Sequence, residues 1–343
     1  MAKSVLSAPH FHDEAAAFAY LEAKLWPQGP VCPKCGGEGY ALKGVLGKAT
    51  YNKDGSVKKA AQERLGLKKC RACRAQFTVR IGTIFEESRA PLHLWLQAIA
   101  LMAASKKGIS ANQLHRVLGV QLKTAWFMAH RIRMAMAPKA GSLPPMGGAG
   151  KVVEVDETYH GKVENPADMR ADGKPFKKRG AGTGGSLRNR RAIVALIERG
   201  GSARTFHVAE ANMATVGRIL RENVDPRSKL HTDGHTMYRP LGKQFAEHKF
   251  VDHSKDEYVR YEESGVVHNN SAESYFSVFK RGMKGVYQHC REKHLHRYLA
   301  EFDYRHNTRT ALGVDDQRRA EKLITQVVGK RLTYRTTDGQ AAD

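Results

Sequence analysis

Apolar residues between Leu92 and Met102 recur at the three- and four-residue intervals of an amphipathic helix: Leu92, Trp95, Leu96, Ile99 and Met102. Lys106, Lys107 and Gly108 break that rhythm. Ser110 then offers a capping oxygen with Gln113 at the capping-box position, and Leu114, Val117 and Leu118 supply the next apolar face. Gly119 marks a turn, after which a third helix from about Lys123 would bury Ala125, Trp126, Met128, Ala129 and Ile132. Its outer side would present Lys123, His130, Arg131 and Arg133. Over residues 88–138 this reads as a three-helix helix-turn-helix unit whose last helix enters the DNA major groove, although any three-helix bundle has caps and a glycine turn.

The next stretch, APKAGSLPPMGGAG, has no periodicity, which makes residues 139–150 a linker. The period then changes from helical to two. From Lys151 to Tyr159, Val153 and Val155 fall on one face of a strand, Glu154 and Asp156 on the other. Further strands are expected at Ala192–Glu198, Arg204–Val208, Lys229–Thr232 and His248–Val251, with a helix at Met213–Asn223 and a long one from about Ser271. Three strands, a helix, a strand and further α/β material over 151–312 is the element order of an RNase H-like domain, a mixed central sheet with helices on its faces. Residues 313–343 are left as a C-terminal tail.

Charge narrows the partners. Lys and Arg number 57 against 34 Asp and Glu, a formal net charge of +23, which points to a polyanion and above all to double-stranded DNA. A membrane is the rival, but the longest apolar stretch, Leu94–Ala104, is too short to span a bilayer. The first residues, MAKSVLSAPHFHDE, lack the apolar core of a secretory signal, so a cytoplasmic, reducing location is expected. The segment 160–191 holds nine Lys or Arg, Lys177, Lys178 and Arg179 among them, against three acidic residues. With its glycines it reads as a mobile arm that orders on DNA, or as a solvated loop without a role.

Four of the five cysteines form two CxxC pairs, Cys32/Cys35 and Cys70/Cys73, within the N-terminal region 1–87. In a reducing setting such pairs supply the four thiolates of one structural Zn²⁺, here in a zinc ribbon. Unrelated buried cysteines or a redox pair are the alternatives. Cys290 is left over as an inert, half-buried thiol.

Asp156 and Asp233 each end or nearly end an expected strand, and Glu273 lies near the start of the long helix. Three carboxylates converging from separate segments are what two hard divalent cations, Mg²⁺ or Mn²⁺, need for phosphoryl transfer. Lys280, seven residues past Glu273, projects from the same helix face and would grip a phosphate. Each residue also has a plain alternative. Thr-Asp-Gly-His around Asp233 reads as a turn, and Glu273 sits at or near the capping-box position of a helix capped by Asn270 or Ser271. His231 and His235 beside Asp233 suggest another metal, but imidazoles favour softer ions.

Trp26-Pro-Gln-Gly-Pro-Val-Cys-Pro-Lys-Cys-Gly-Gly37, Cys70-Arg-Ala-Cys-Arg-Ala-Gln-Phe-Thr78, Gly82-Thr-Ile-Phe85, Lys123-Thr-Ala-Trp126, His130-Arg-Ile-Arg133, Val155-Asp-Glu-Thr-Tyr159, His268–Lys280 and Tyr298–Arg309 stand in consistent order. With these the chain resembles bacterial insertion-sequence transposases of the DDE superfamily, those with an N-terminal zinc ribbon. The resemblance implies a triad of Asp156, Asp233 and Glu273, with Asn270 as the alternative third residue, and Lys280 beside them. It also implies cleavage of transposon ends and transfer of the 3′ ends to target DNA, by a homo-oligomer assembled on terminal inverted repeats and target DNA in the bacterial nucleoid. DNA contacts are expected from Lys123, Arg131, Arg133, Lys177, Lys178, Arg179 and Lys284. A non-catalytic regulator derived from such an enzyme, or a nuclease that cuts without joining, are the rival readings. No Arg-His-Arg-Tyr constellation accompanies Tyr159, Tyr238 or Tyr304, which argues against a tyrosine recombinase.

Overall fold

The computed structural model describes residues 4–42, 45–46, 50–59, 62–139, 141–164, 189–252, 255–263 and 265–333. They form two units, one of Met1–Ser105, Ile109–Met136 and Asp315–Asp343, the other of Lys106–Gly108 and Ala137–Val314.

The first unit opens with α1 (Glu14–Leu25), capped by Asp13, which accepts from the Ala16 amide at 2.7 Å. A small antiparallel sheet follows, β1 (Gly39–Ala41), β2 (Lys68–Cys70) and β3 (Gln76–Phe77), with β2 in the centre. In α2 (Leu92–Ala104) the periodic residues Leu92, Trp95, Leu96, Ile99 and Met102 are all buried. No side chain of its own caps this helix. Instead Glu14 of α1 accepts from the amides of Leu92 and His93 at 2.8 and 3.1 Å. The Ser110 hydroxyl caps α3 (Ala111–Leu118) by accepting from Gln113, and Gly119 ends it at φ +65°, a left-handed turn that suits glycine. Val117, expected on the apolar face, is 54% exposed, because Leu114 and Leu118 alone fill the contact of this short helix.

In α4 (Leu122–Met136) the expected outer face is corrected. Lys123 is exposed, but His130, Arg131 and Arg133 are buried, at 0%, 4% and 2% exposure. The reason lies in covering backbone. Arg131 donates to the carbonyls of Ile84, Glu86 and Leu332 at 2.7, 2.6 and 3.0 Å, so its guanidinium satisfies chain that wraps the helix instead of facing solvent. The helix Asp316–Thr325, within the segment set aside as a tail, packs on α2, where Arg319 donates to the Ala103 carbonyl at 3.0 Å.

The second unit is built on a mixed five-stranded sheet, β6-β5-β4-β7-β8 in spatial order, from β4 (Val152–Lys162), β5 (Arg190–Glu198), β6 (Ala203–Val208), β7 (Lys229–Asp233) and β8 (Glu247–Val251). Strand β5 runs antiparallel to both β4 and β6, while β7 runs parallel to both β4 and β8. The alternation in β4 is as expected. Val153 and Val155 pack with α5 (Met213–Asn223) and α6 (Tyr238–Gly242) on one face. The opposite face, carrying Ile193, Ala195 and Ile197 of β5, is covered by α7 (Asn270–Gly282) and α8 (Leu295–Asn307). A hairpin of Val259–Glu262 and Gly265–His268 leads into α7. The ends of the expected basic arm are strand, in β4 and β5, while Lys177, Lys178 and Arg179 lie outside the described residues. Among the described residues no helix is long and apolar enough to cross a membrane.

Candidate active site and metal centre

Cys32, Cys35, Cys70 and Cys73 bring their sulfurs within 4.8 Å of one another, the cluster expected from the two CxxC pairs. Cys32 and Cys73 are 3.7 Å apart and Cys35 and Cys70 3.5 Å. A tetrahedral zinc with bonds of about 2.3 Å sets its sulfurs about 3.8 Å apart, so the four thiols fit a structural Zn²⁺. The first knuckle closes through the Gly36 amide on the Cys32 carbonyl at 2.9 Å, with Gly36 at φ +73°. At the matching place in the second, Arg74 takes φ +63°, a strain that the Cys70-to-Ala75 backbone bond of 2.9 Å holds in place. The Cys73 amide, donating to the Cys70 sulfur, is the main cause that brings that thiol down to about 7 and favours the thiolate a metal requires. Cys290 is half-buried and apart from the cluster.

The second constellation follows from the parallel register of β4 and β7. The pair His231↔Glu154 is in register, and two residues on in each strand stand Asp233 and Asp156, on one face of the sheet. Glu273 is exposed in the first turn of α7, the helix that covers this face. Burial is the main cause that pushes the Asp156 carboxyl up to about 8, reinforced by the negative charges of Glu157, Asp233 and Glu273. The three expected carboxylates therefore share one electrostatic field. They do not close to ligand distance: among the described residues only the cysteines form a group of three or more donors within 4.8 Å. Lys280 and Lys284 are exposed on α7 and just beyond it, and the charge of Lys280 reaches His160 of β4.

One pair near this site, Glu157 and Tyr238, carries no signal in the sequence pattern. Glu157 sits on the other face from Asp156 and accepts a hydrogen bond from the fully buried Tyr238 hydroxyl. Only the fold, which sets α6 beneath β4, brings them together. His231 is buried and held well down, to about 4, chiefly by burial and then by Arg199, so it is neutral. His235 donates its amide to Asp233 at 3.1 Å, and neither histidine joins a cluster of metal donors.

The start of α7 corrects the reading of Asn270 and Ser271 as caps. Asn269 holds the N-cap position and its side chain makes no capping bond, whereas Asn270 is the first helical residue. The amides of Ser271 and Ala272 are taken at 2.7 and 3.1 Å by the carboxylate of Glu154, from β4. Glu273 stands one residue beyond the capping-box position, and the cap has another donor of charge. Asn269 is 1% exposed, and its amide donates to the Val155 carbonyl at 3.3 Å, adjoining Asp156.

Against known proteins, residues 147–307 match the ISXO2-like transposase domain and residues 12–76 the transposase zinc-ribbon domain. No curated protein matches the chain. Among solved structures, the crystal structure of the Mos1 strand transfer complex aligns at 13% identity over 67% of this chain and 73% of that chain, with a TM-score of 0.26, too low to place any element.

Proposed function

The chain belongs to the transposases that set a zinc ribbon before an ISXO2-like transposase domain, and on that footing we propose that it cuts the ends of a mobile DNA element and joins the freed 3′ ends to target DNA. The sheet order β6-β5-β4-β7-β8, with only the first three strands antiparallel, is read as an RNase H-like core. The observation that carries the proposal is the parallel register of β4 with β7, which sets Asp156 and Asp233 on the sheet face that α7 covers with Glu273 in its first turn; there burial, then the charges of Glu157, Asp233 and Glu273, raise the Asp156 carboxyl to about 8. Carboxylates held in one field at this cost gain most from a divalent cation, and their oxygens suit Mg²⁺ or Mn²⁺.

Asp156, Asp233 and Glu273 would hold two such ions, which when bound supply Lewis acidity to the phosphate and to its entering and leaving oxygens. Lys280 and Lys284, exposed along α7 and beyond, would bind backbone phosphates and keep the scissile bond in line. Lys123 at the start of α4 is exposed and would contact DNA, whereas Arg131 and Arg133 are buried. Joining two ends of one element calls for two copies on the DNA, hence a homo-oligomer formed there, in the compartment that holds the chromosome.

The test is a duplex ending in the element's terminal repeat with a free 3′-hydroxyl, incubated with target plasmid and Mg²⁺. Joined product, lost in Asp156→Asn, is the expected result. Cutting of an uncut end without joining would leave a nuclease, and end binding with neither reaction a regulator.

A further inference from the structure

We propose that Glu154 and Arg199 are positioning residues that fix the spacing of the three carboxylates and so set the affinity of the site for divalent cations. The proposal rests on the reading of Asp156, Asp233 and Glu273 as cation ligands. Glu154 is 0% exposed on β4, and its carboxylate accepts from the Ser271 amide at 2.7 Å, the Ser271 hydroxyl at 2.9 Å, the Ala272 amide at 3.1 Å and Arg199 Nε at 3.0 Å. Arg199 in turn donates to the carbonyls of Val266 and His268 at 2.8 and 3.1 Å and reaches His231 Nδ1 at 3.2 Å.

The partners of this pair are not scattered. Glu154 lies two residues before Asp156, His231 two residues before Asp233, and Ser271 two residues before Glu273. One ion pair, with Glu154 buried and Arg199 partly exposed, thus ties together the three segments that carry the carboxylates, each at the same short distance along the chain from its ligand. In the two strands that offset keeps anchor and ligand on one face. At α7 the negative charge of Glu154 meets the positive end of the helix, which holds the first turn, and Glu273 in it, against β4.

An ion pair with one buried partner is weak evidence for stability, since desolvation of Glu154 offsets much of the attraction and apolar residues of equal volume often serve as well. What apolar packing cannot supply is direction. The hydrogen bonds from Glu154 and Arg199 fix the rotation and height of α7 and the lateral position of β7 relative to β4.

The experiment compares Glu154→Gln and Arg199→Lys with wild type in the full-length, zinc-loaded protein. Mn²⁺ binding is followed by electron paramagnetic resonance, and end cleavage is followed as kcat and KM for DNA across a Mn²⁺ series. Support for outer ligands typically carries 10- to 100-fold in metal affinity, so the Mn²⁺ midpoint should rise about tenfold or more in both readouts. KM for DNA should stay within about threefold, and excess Mn²⁺ should restore kcat, because the DNA contacts lie elsewhere and the ligands themselves are intact. A merely structural role would lower the active fraction and leave the Mn²⁺ midpoint unchanged, and that result overturns the proposal. Should Glu154→Gln not fold, Ser271→Ala removes a single hydroxyl donor, and a midpoint unmoved in it and in Arg199→Lys is equally fatal. Wild type that binds Mn²⁺ in a Glu154-dependent way yet neither cuts nor joins DNA would defeat the proposed function while leaving this inference standing.

Discussion

Four cysteines from two short knuckles stand with their sulfurs within 4.8 Å of one another, whereas the carboxylates of Asp156, Asp233 and Glu273 share a field without closing to that distance. The contrast follows from how each group is made. A knuckle needs only a tight local turn, supplied by Gly36 in one case and by Arg74 at φ +63° in the other, so two small loops complete a closed site. The carboxylates depend on the register of β4 with β7 and on the docking of α7, and they stand farther apart. A closed thiolate site suits a structural ion and an open oxygen site a catalytic one.

The largest effect is expected at the closed thiolate site. Removing zinc, or the substitution Cys70→Ser, should withdraw on the order of 10 kcal/mol of folding free energy from the ribbon. Proteolysis should then cut within the first 80 or so residues, and metal analysis should find the single zinc gone. Retention of full zinc by Cys70→Ser would break the four-thiol assignment.

The open site should respond to pH instead. Asp156, raised to about 8, must lose its proton before it can bind a cation. Mn²⁺ affinity should therefore climb by up to about tenfold per unit between pH 6 and 8 and level off above. Stability without metal runs the other way. Between the ordinary value of 3.8 and about 8 the folded chain holds a proton that the unfolded chain has released, so stability falls as pH rises through that window and is flat beyond it. Thermal unfolding of the zinc-loaded protein against pH without added Mg²⁺ or Mn²⁺, compared with Asp156→Asn, checks the sign.

A smaller contrast separates two basic residues of α4. Arg131→Ala leaves buried carbonyls of Ile84 and Glu86 without donors and should cost about 1–3 kcal/mol of stability, read by denaturant unfolding. Lys123→Ala should reduce the salt slope of DNA binding by about 0.9. Equal effects of the two on DNA affinity, with both proteins fully folded, would reinstate Arg131 as a contact.

What the sequence made legible is what local pattern controls. Val153 and Val155 against Glu154 and Asp156 announced a two-faced strand, Ser110 with Gly119 bracketed a helix, and CxxC spacing announced the sulfur cluster. Hidden were the features that pair residues far apart. Arg131 looks solvent-facing by helical phase and is buried because the Leu332 carbonyl lies over it, 201 residues away in sequence. Glu154 looks like one more polar strand residue, and its partners are the amides of Ser271 and Ala272, 117 and 118 residues on. The same device recurs at α2, capped by Glu14 of α1, so a helix without its own cap invites a search for a distant carboxylate. Asn270 illustrates the cost of reading caps locally, since the helix starts at it and takes its cap from another strand.

Under the proposed function Glu273, and not Asn270, completes the site with Asp156 and Asp233. A carboxylate brings a full negative charge to two divalent cations, a neutral amide only one carbonyl oxygen. Cleavage of a plasmid bearing the element's own ends, in Mn²⁺, should be abolished by Glu273→Gln and largely retained by Asn270→Ala, with both variants folded and bound to DNA. Near-normal cleavage by Glu273→Gln together with loss of cleavage in Asn270→Ala would contradict it.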